Sequence, residues 1–297
     1  MTAVTTGSNL AVWTLAGTPS GGAARHRTPV VYLHGGPGMY TEARRFDEAA
    51  VVRGAGFETI FFDQAGGGKS ARLPAGDYSL DRAVADIEAL RVAMGHDRLV
   101  LWGNSYGADL AALYASRYPG HVAGVLLTSP GMFPGFSGKR DYGRSNRDRV
   151  EYAADVRAAI DRIDRDGAAA EATLPQAAAG PLFDALVADE LMGGMVCKGA
   201  SVRPPALPGG GNLYAQRLIF RDLKKLHAAL PAIAGIPTLI VRGACDFLPM
   251  ASAERYRAML GGEIVEIAGS GHGLIENRAA VDAAIAGFAR GALGKVE

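Results

Sequence analysis

Short apolar runs without a polar interruption recur along the chain, and most of them end at a glycine or a polar residue. Such runs are typical of parallel strands that are covered on both faces. Helical patterns separate several of them; after Ser79, a suitable N-cap, apolar residues recur every three or four positions. Strands that alternate with helices predict a parallel sheet with right-handed crossovers. The predicted strands are 29–33, 59–62, 99–102, 122–127, 237–241 and 263–267.

Other elements flank these runs. Residues 10–15 alternate after a glycine-containing turn, which predicts an antiparallel strand at the opening of the sheet. We expect further helices at 41–53, at 110–118, which Pro119 ends, and from about Asn277 onwards.

The strand pattern is interrupted between about 131 and 227, where charged and Gly/Pro-rich stretches replace apolar runs. We expect this stretch to be a helical insertion into one core. The predicted domains are a core over 1–130, a helical cap over 131–228 and the second part of the core over 229–297. A cap at this place would cover the carboxyl edge of the sheet, where open α/β sheets bind ligands.

Composition narrows the possible partners. The chain has 297 residues and a net charge of +1, so it lacks the basic excess that nucleic-acid binding needs. We see neither a signal peptide nor a bilayer-spanning apolar run, and therefore expect a cytoplasmic protein without membrane association. Two cysteines, Cys197 and Cys245, are too few for a disulfide scaffold, which favours a reducing compartment and a packing role for Cys245. The sequence has no clustered metal ligands, and we expect no metal and no cofactor.

The strongest chemical signal is a G-x-S-x-G motif at residues 103–107, with Ser105 at its centre. It follows the predicted strand 99–102 and precedes the predicted helix 110–118, which is the setting that a nucleophile elbow requires. Glycines permit the tight turn that lifts the serine hydroxyl above the sheet. We therefore predict that Ser105 is a nucleophile.

A serine hydroxyl needs a base to become nucleophilic, and that base needs an orienting acid. His272 lies in a glycine-rich loop after the last predicted strand, and Asp246 follows the strand before it. The chain order Ser105, Asp246, His272 is the order found in α/β-hydrolases. We predict that these residues form a catalytic triad on that fold, a mostly parallel eight-stranded sheet with a helical cap inserted after the sixth strand.

An oxyanion intermediate needs backbone N–H donors beside the nucleophile. One donor should come from Tyr106, the residue after Ser105. The second should come from the loop His-Gly-Gly-Pro-Gly at 34–38, and Gly36 is our choice because glycine can turn its N–H into the site. We expect His34 to brace this loop.

These motifs together resemble the proline iminopeptidase family of α/β-hydrolases, over about two-thirds of the chain. Members of that family cleave an N-terminal residue, often proline, from a peptide or amide, and hold the free amine with carboxylates. The resemblance implies a small-molecule or short-peptide substrate. The residues that carry it are 34–38, Asp63-Gln64 with Gly66, Gly68 and Ser70, 103–107, 243–246, and Gly271-His272 followed by Glu276.

The resemblance is weaker in the cap. A family motif like E-N-H-Y-F corresponds to a stretch that begins at Gln216, which places a glutamine where the amine-binding glutamate belongs. Glu276 is retained, so the resemblance implies that Gln216 and Glu276 are substrate-binding residues. The acidic cap residues Asp184, Asp189 and Glu190 could take the place of the missing glutamate.

The leading hypothesis is a serine hydrolase that cleaves an amide at an N-terminal aminoacyl group, as an aminopeptidase or an amidohydrolase of a natural-product pathway. The missing cap glutamate favours an alternative, an esterase or thioesterase acting on a small metabolite without an amine. A third possibility is a non-hydrolytic member, either a lyase, an acyltransferase or a ligand-binding receptor. The substrate and the oligomeric state do not follow from the sequence.

Overall fold

The structure of the protein, a computed structural model, describes residues 2–4, 8–20, 25–134, 138–139, 152–187, 194–202, 207–226 and 230–296. In these residues eight strands form one sheet, with spatial order β1-β2-β4-β3-β5-β6-β7-β8. β2 pairs antiparallel with β1 and β4, and the remaining neighbours are parallel, so the predicted eight-stranded sheet is confirmed. The strands are β1 (Thr2–Val4), β2 (Leu10–Leu15), β3 (Val30–Leu33), β4 (Thr59–Phe62), β5 (Leu99–Asn104), β6 (Val122–Thr128), β7 (Thr238–Gly243) and β8 (Glu263–Ile267).

The register of the central strands brings their carboxyl ends to one edge. Leu33 of β3 lies opposite Gly103 of β5, and Asn104 lies opposite Thr128 of β6. Thr128 in turn lies opposite Val241 of β7. The loops that follow β3, β5, β6 and β7 therefore meet above the same edge of the sheet.

Helices cover both faces of the sheet, and β5 shows why its sequence is continuously apolar. Leu101 packs in a core with α3, α4 and α8, whereas Val100 and Trp102 point to the opposite core with α2 and α9. The helices are α1 (Arg44–Glu48), α2 (Ala50–Gly54), α3 (Leu80–Ala93), α4 (Tyr106–Arg117), α5 (Ala154–Asp166), α6 (Gln176–Ala185), α7 (Leu213–Lys225), α8 (Met250–Leu260) and α9 (Arg278–Arg290).

The cap helices α5, α6 and α7 lie between β6 and β7 in the chain, so the insertion after the sixth strand is confirmed. They pack on one another, and buried side chains such as Ile163, Phe183 and Leu218 join the core formed by α3 and α4. The domain boundaries at 131 and 228 remain a prediction. In the described part of the chain no helix is long and apolar enough to cross a membrane.

Two helix predictions need correction. The expected helix at 41–53 is two short helices, α1 and α2, which meet at Ala49. The helix expected from 110 begins at Tyr106, directly after Ser105. The Gly-x-Ser-x-Gly motif hid this start, because its second glycine has low helix propensity and yet lies inside the first turn.

The second motif glycine, Gly107, allows α4 to pack against β3. A Cβ added there would collide with the carbonyl oxygen of Leu33. We expect Gly107→Ala to lower the free energy of unfolding by about 3 kcal/mol, because the backbone on both sides is fixed. Gly287→Ala in α9 is the matched control: no atom lies within 4 Å of the added Cβ, and we expect a gain of about 0.5–1 kcal/mol. Urea denaturation measures both, and equal stabilities would contradict this packing argument.

Candidate active site

The backbone at Ser105 is held in a conformation that non-glycine residues rarely adopt, with φ 52° and ψ −121°. Neighbouring loops fix it: the Ser105 N–H donates to the carbonyl of Thr128 (3.1 Å), and the Gly131 N–H donates to the Ser105 carbonyl (2.9 Å). Positive φ at a serine costs free energy, and such strain occurs most often at functional sites. The turn projects the hydroxyl away from the sheet edge.

The structure brings Ser105, His272 and Asp246 together as predicted. His272 Nε2 lies 2.9 Å from Ser105 Oγ. His272 Nδ1 lies 2.9 and 3.0 Å from the two carboxylate oxygens of Asp246. A proton on Nδ1 satisfies the carboxylate and leaves Nε2 free to accept the serine proton.

The acid is fixed independently of the histidine. Asp246 is 3% exposed, and its Oδ1 also accepts the N–H of Leu248 (2.9 Å). The Leu248 N–H holds the buried carboxylate from within its own loop, so the loop that carries Asp246 orients the imidazole. The three side chains therefore have the geometry needed for activation of the serine hydroxyl.

Both residues predicted to supply oxyanion donors line the same cavity as Ser105. Tyr106 is the first residue of α4, so its N–H has no acceptor within the helix. Gly36 has φ 124°, and a Cβ there would lie 2.9 Å from the Met39 nitrogen, so this position requires glycine. The neighbouring Gly35 also approaches closely, because an added Cβ would lie 3.0 Å from the Ser105 Cβ.

His34 braces this loop, as the sequence predicts. Its Nδ1 lies 2.8 Å from the Gly35 carbonyl oxygen, and its Nε2 accepts the N–H of Gln64 (2.9 Å). The Gln64 amide donates back to the His34 carbonyl (2.9 Å). Burial lowers the pKa of His34, which favours the neutral ring that both contacts need.

A cavity of about 910 Å³ opens above Ser105, between the core and the cap. Core residues around the nucleophile form its floor, and α7 contributes Gln216, Arg217, Phe220 and Lys224. A volume of this size accommodates a small molecule or a short peptide. Among the described residues no group of three potential metal ligands is placed to hold a metal ion.

The structure separates the two predicted substrate-binding residues. Gln216 lines the cavity, and its Oε1 is buried without a partner. Glu276 does not line it; its Oε1 accepts the N–H groups of Gly271 (3.0 Å) and Cys197 (2.8 Å). Glu276 Oε1 is therefore engaged by backbone N–H groups, and a role of Glu276 in substrate binding stays a prediction.

Of the acidic cap residues that could take the place of the missing glutamate, Asp184 lies in the described part of the chain, and it does not line the cavity. Asp184 accepts the N–H groups of Gly210 (3.0 Å) and Gly211 (2.8 Å) and thereby fixes the loop before α7. Asp189 and Glu190 lie outside the described residues.

Sequence reasoning missed two carboxyl groups that line the cavity. Asp109 lies one turn after Ser105 on α4, and its Oδ1 accepts the hydroxyl of Tyr256 (2.7 Å). Glu42 accepts hydrogen bonds from Arg44 (2.7 Å) and Arg45 (3.4 Å). The sequence does contain a hint of Asp109, because it is the one charged residue in the otherwise mostly apolar stretch 106–115.

Burial determines the charge of these two groups differently. It raises the pKa of Asp109 well above its ordinary value, which the Tyr256 hydrogen bond opposes only in part, so the uncharged acid is favoured. For Glu42 the two arginines outweigh burial and lower its pKa, so it is ionised. The described cavity lining thus holds one carboxyl group whose uncharged form is favoured by burial, Asp109, and one carboxylate that is already paired, Glu42.

The expectation of reduced cysteines is wrong. Cys197 and Cys245 form a disulfide, and Cys245 directly precedes Asp246. Cys245 was predicted to be a packing residue; it instead links the loop that carries Asp246, here called the acid loop, covalently to the cap. The disulfide removes the reason for inferring a reducing compartment. The sequence did not indicate the pairing, because the two cysteines are 48 residues apart.

Residues 28–279 match the family model described as alpha/beta hydrolase fold. The chain belongs to the alpha/beta hydrolase fold family. Within it, the resemblance to proline iminopeptidases is confirmed by curated relatives: a probable proline iminopeptidase of Streptomyces coelicolor is 36% identical over 129 residues, 40% of this chain and 36% of the relative. A proline iminopeptidase of Xylella fastidiosa is 38% identical over 107 residues, 34% of this chain and 32% of the relative. The chain thus matches about a third of the length of these relatives.

Solved structures share the fold of this alpha/beta hydrolase across nearly its whole length. An esterase from Exiguobacterium antarcticum superposes with a TM-score of 0.61 at 18% identity, covering 97% of this chain and 98% of the esterase. A proline iminopeptidase-related protein from Thermus thermophilus gives a TM-score of 0.60 at 20% identity, covering 96% of this chain and 95% of that protein. At such identities the similarity establishes the fold alone.

Removing the Ser105 hydroxyl tests the role of the site. We expect Ser105→Ala to fold normally and to lower the hydrolytic rate by about 1,000-fold or more, because the variant lacks the hydroxyl that His272 is placed to activate. Ser270→Ala is the matched control, since the Ser270 hydroxyl is buried without a partner close to His272 but does not line the cavity. Steady-state rates with an activated ester measure both variants, and retained activity in Ser105→Ala would exclude this nucleophile.

The raised pKa of Asp109 makes stability depend on pH. Above the unfolded-state pKa of about 3.9, the unfolded chain releases a proton that the folded protein keeps, so the free energy of unfolding falls as pH rises. Asp109→Asn retains an acceptor for Tyr256 and removes this dependence. We expect the variant to gain stability relative to the native protein as pH rises from about 4 towards 7. Urea denaturation across that range is the measurement, and a constant difference would show that Asp109 titrates normally.

Proposed function

We propose that this chain is a serine hydrolase that cleaves an amide bond at an N-terminal aminoacyl group through an acyl-enzyme. The observation that carries the proposal is the contact chain from Ser105 Oγ to His272 (2.9 Å) and from His272 to Asp246 (2.9 Å) at the floor of a cavity. The proposed substrate is a small molecule or a short peptide.

The geometry supports a two-step reaction. His272 Nε2 takes the proton from Ser105 Oγ as that oxygen attacks the substrate carbonyl carbon. The N–H groups of Tyr106 and Gly36 stabilise the oxyanion, and Asp246 stabilises the imidazolium. His272 then gives the proton to the leaving amine as the C–N bond breaks. A water molecule, deprotonated by His272, attacks the acyl-enzyme and releases the acid, and the proton returns to Ser105 Oγ.

Two findings support an aminoacyl substrate. Similar curated proteins are named proline iminopeptidase or probable proline iminopeptidase, and the resemblance to that family implies cleavage of an N-terminal residue. Gln216 lies in the cavity lining, on the cap helix α7. Its carbonyl oxygen can accept a hydrogen bond from a substrate amine.

A second candidate is an esterase that acts on a substrate without an amine. It is favoured by the described carboxyl groups of the cavity, because Glu42 is paired with Arg44 and Arg45 and Asp109 favours its uncharged form. Neither provides a free negative charge for an ammonium group. Among the similar solved structures, the Exiguobacterium antarcticum protein is an esterase.

A substrate panel separates the two candidates. We expect aminoacyl naphthylamides, including the prolyl compound, to be hydrolysed at least about tenfold faster in kcat/KM than their N-acetylated counterparts, a difference of about 1.4 kcal/mol. The N-acetylated compounds are the matched controls because only the free amine differs. Turnover of short acyl esters without turnover of any aminoacyl amide would reject the aminopeptidase proposal and support the esterase.

A further inference from the structure

A short cap segment, residues 195–197, lies directly against the loop that carries His272. The Gly273 N–H donates to the Met195 carbonyl (2.7 Å), on one side of the histidine. On the other side, Glu276 Oε1 accepts the N–H groups of both Gly271 (3.0 Å) and Cys197 (2.8 Å). The segment therefore holds the backbone both before and after His272.

The same segment is covalently tied to the acid loop. The disulfide joins Cys197 to Cys245, the residue that precedes Asp246. The Cys245 N–H donates to the carbonyl of Ser270 (2.9 Å), which connects the acid loop to the histidine loop. Two of the three triad residues are thus positioned through one segment of the cap.

The packing leaves little room for an alternative arrangement. A Cβ added at Gly271 would lie 2.5 Å from the Met195 carbonyl oxygen and 2.6 Å from the Val196 carbonyl carbon. Val196 is buried, and Met195 lines the substrate cavity. The second oxygen of Glu276 is buried without a partner, so the carboxylate is committed to the two N–H groups that its first oxygen accepts.

We propose that Glu276 and the Cys197–Cys245 disulfide are positioning elements that hold His272 and Asp246 in register with Ser105, and that reducing the disulfide lowers the rate of the Ser105 reaction. A dithiol reductant supplies two electrons and two protons. The S–S bond breaks, both cysteines become thiols, and the reductant becomes a disulfide. The proposal rests on the proposed role of Ser105 as nucleophile and is independent of the substrate class.

The physical reason is the narrow tolerance of proton transfer. The Ser105–His272 contact must stay within hydrogen-bond reach, and a displacement of about 1 Å can cost about 100-fold in rate. Without the disulfide, residues 195–197 keep only non-covalent contacts to the two loops. Without the Glu276 carboxylate, the N–H groups of Gly271 and Cys197 lose their shared acceptor.

The test uses a fluorophosphonate, which requires an activated serine but no particular substrate. Ser105 Oγ gives its proton to His272 Nε2 and forms a bond to phosphorus, and the P–F bond breaks as fluoride leaves. Thiol titration verifies full reduction of the native protein by counting two thiols. We expect full reduction to lower the maximal labelling rate at least about tenfold. The fluorophosphonate concentration that gives half of the maximal rate should change less than about threefold. Reoxidation should restore the rate.

Two sets of variants serve as controls. The double variant Cys197→Ser/Cys245→Ser should label slowly and should not respond to reductant. Glu276→Ala should label at least about tenfold slower than the native protein, and Glu276→Gln, which keeps an acceptor oxygen, should recover most of the rate. Glu254→Gln on α8 should label at the native rate. Circular dichroism at the assay temperature identifies any variant that does not fold. If a variant does not fold, the labelling rate of the reduced native protein tests the role of the disulfide.

The outcomes separate this proposal from the proposed function. If Ser105 of the oxidised native protein is not labelled, the proposed function fails. If it is labelled and the fully reduced protein keeps its rate within about twofold, the positioning role of the disulfide is rejected. Native labelling rates in Glu276→Ala would reject the positioning role of Glu276.

Discussion

The strained turn at Ser105 is the constraint on which the site depends. Two backbone hydrogen bonds hold its positive φ: the Ser105 N–H donates to the Thr128 carbonyl, and the Gly131 N–H donates to the Ser105 carbonyl. Those two residues belong to β6 and the loop after it, so the nucleophile is positioned by the neighbouring strand. The sheet register, which aligns the ends of β5 and β6, is therefore a condition of the chemistry.

The remaining parts of the site are added from other strand ends. The loop after β3 places Gly35 against Ser105 and Gly36 in the cavity lining, and Gly107 allows α4 to come close to the same strand. β7 and β8 supply the loops of Asp246 and His272. Each group lies on a separate connection, and the sheet is the common reference that fixes their distances.

Much of this could be predicted from the sequence, because local patterns specify it. Apolar runs indicated the parallel strands, and the motif around Ser105 with the order of Asp246 and His272 identified the site. The roles of Glu276 and Cys197 could not be predicted in this way. Each depends on which distant loop it meets across the cap, and a single sequence carries no signal for such contacts. Asp109 was missed for a related reason, since the helix containing it begins four residues earlier than its pattern indicates.

The uncharged state favoured at Asp109 has a consequence for the electric field at the nucleophile. The N-terminus of α4 points its positive end at the place where negative charge develops during attack on a carbonyl. An ionised carboxylate one turn along that helix would oppose this field at short range. By favouring the neutral acid, burial beside Tyr256 preserves the attraction of the helix terminus for the intermediate. The same polar side chain can then shape the cavity without repelling the charge that the reaction creates.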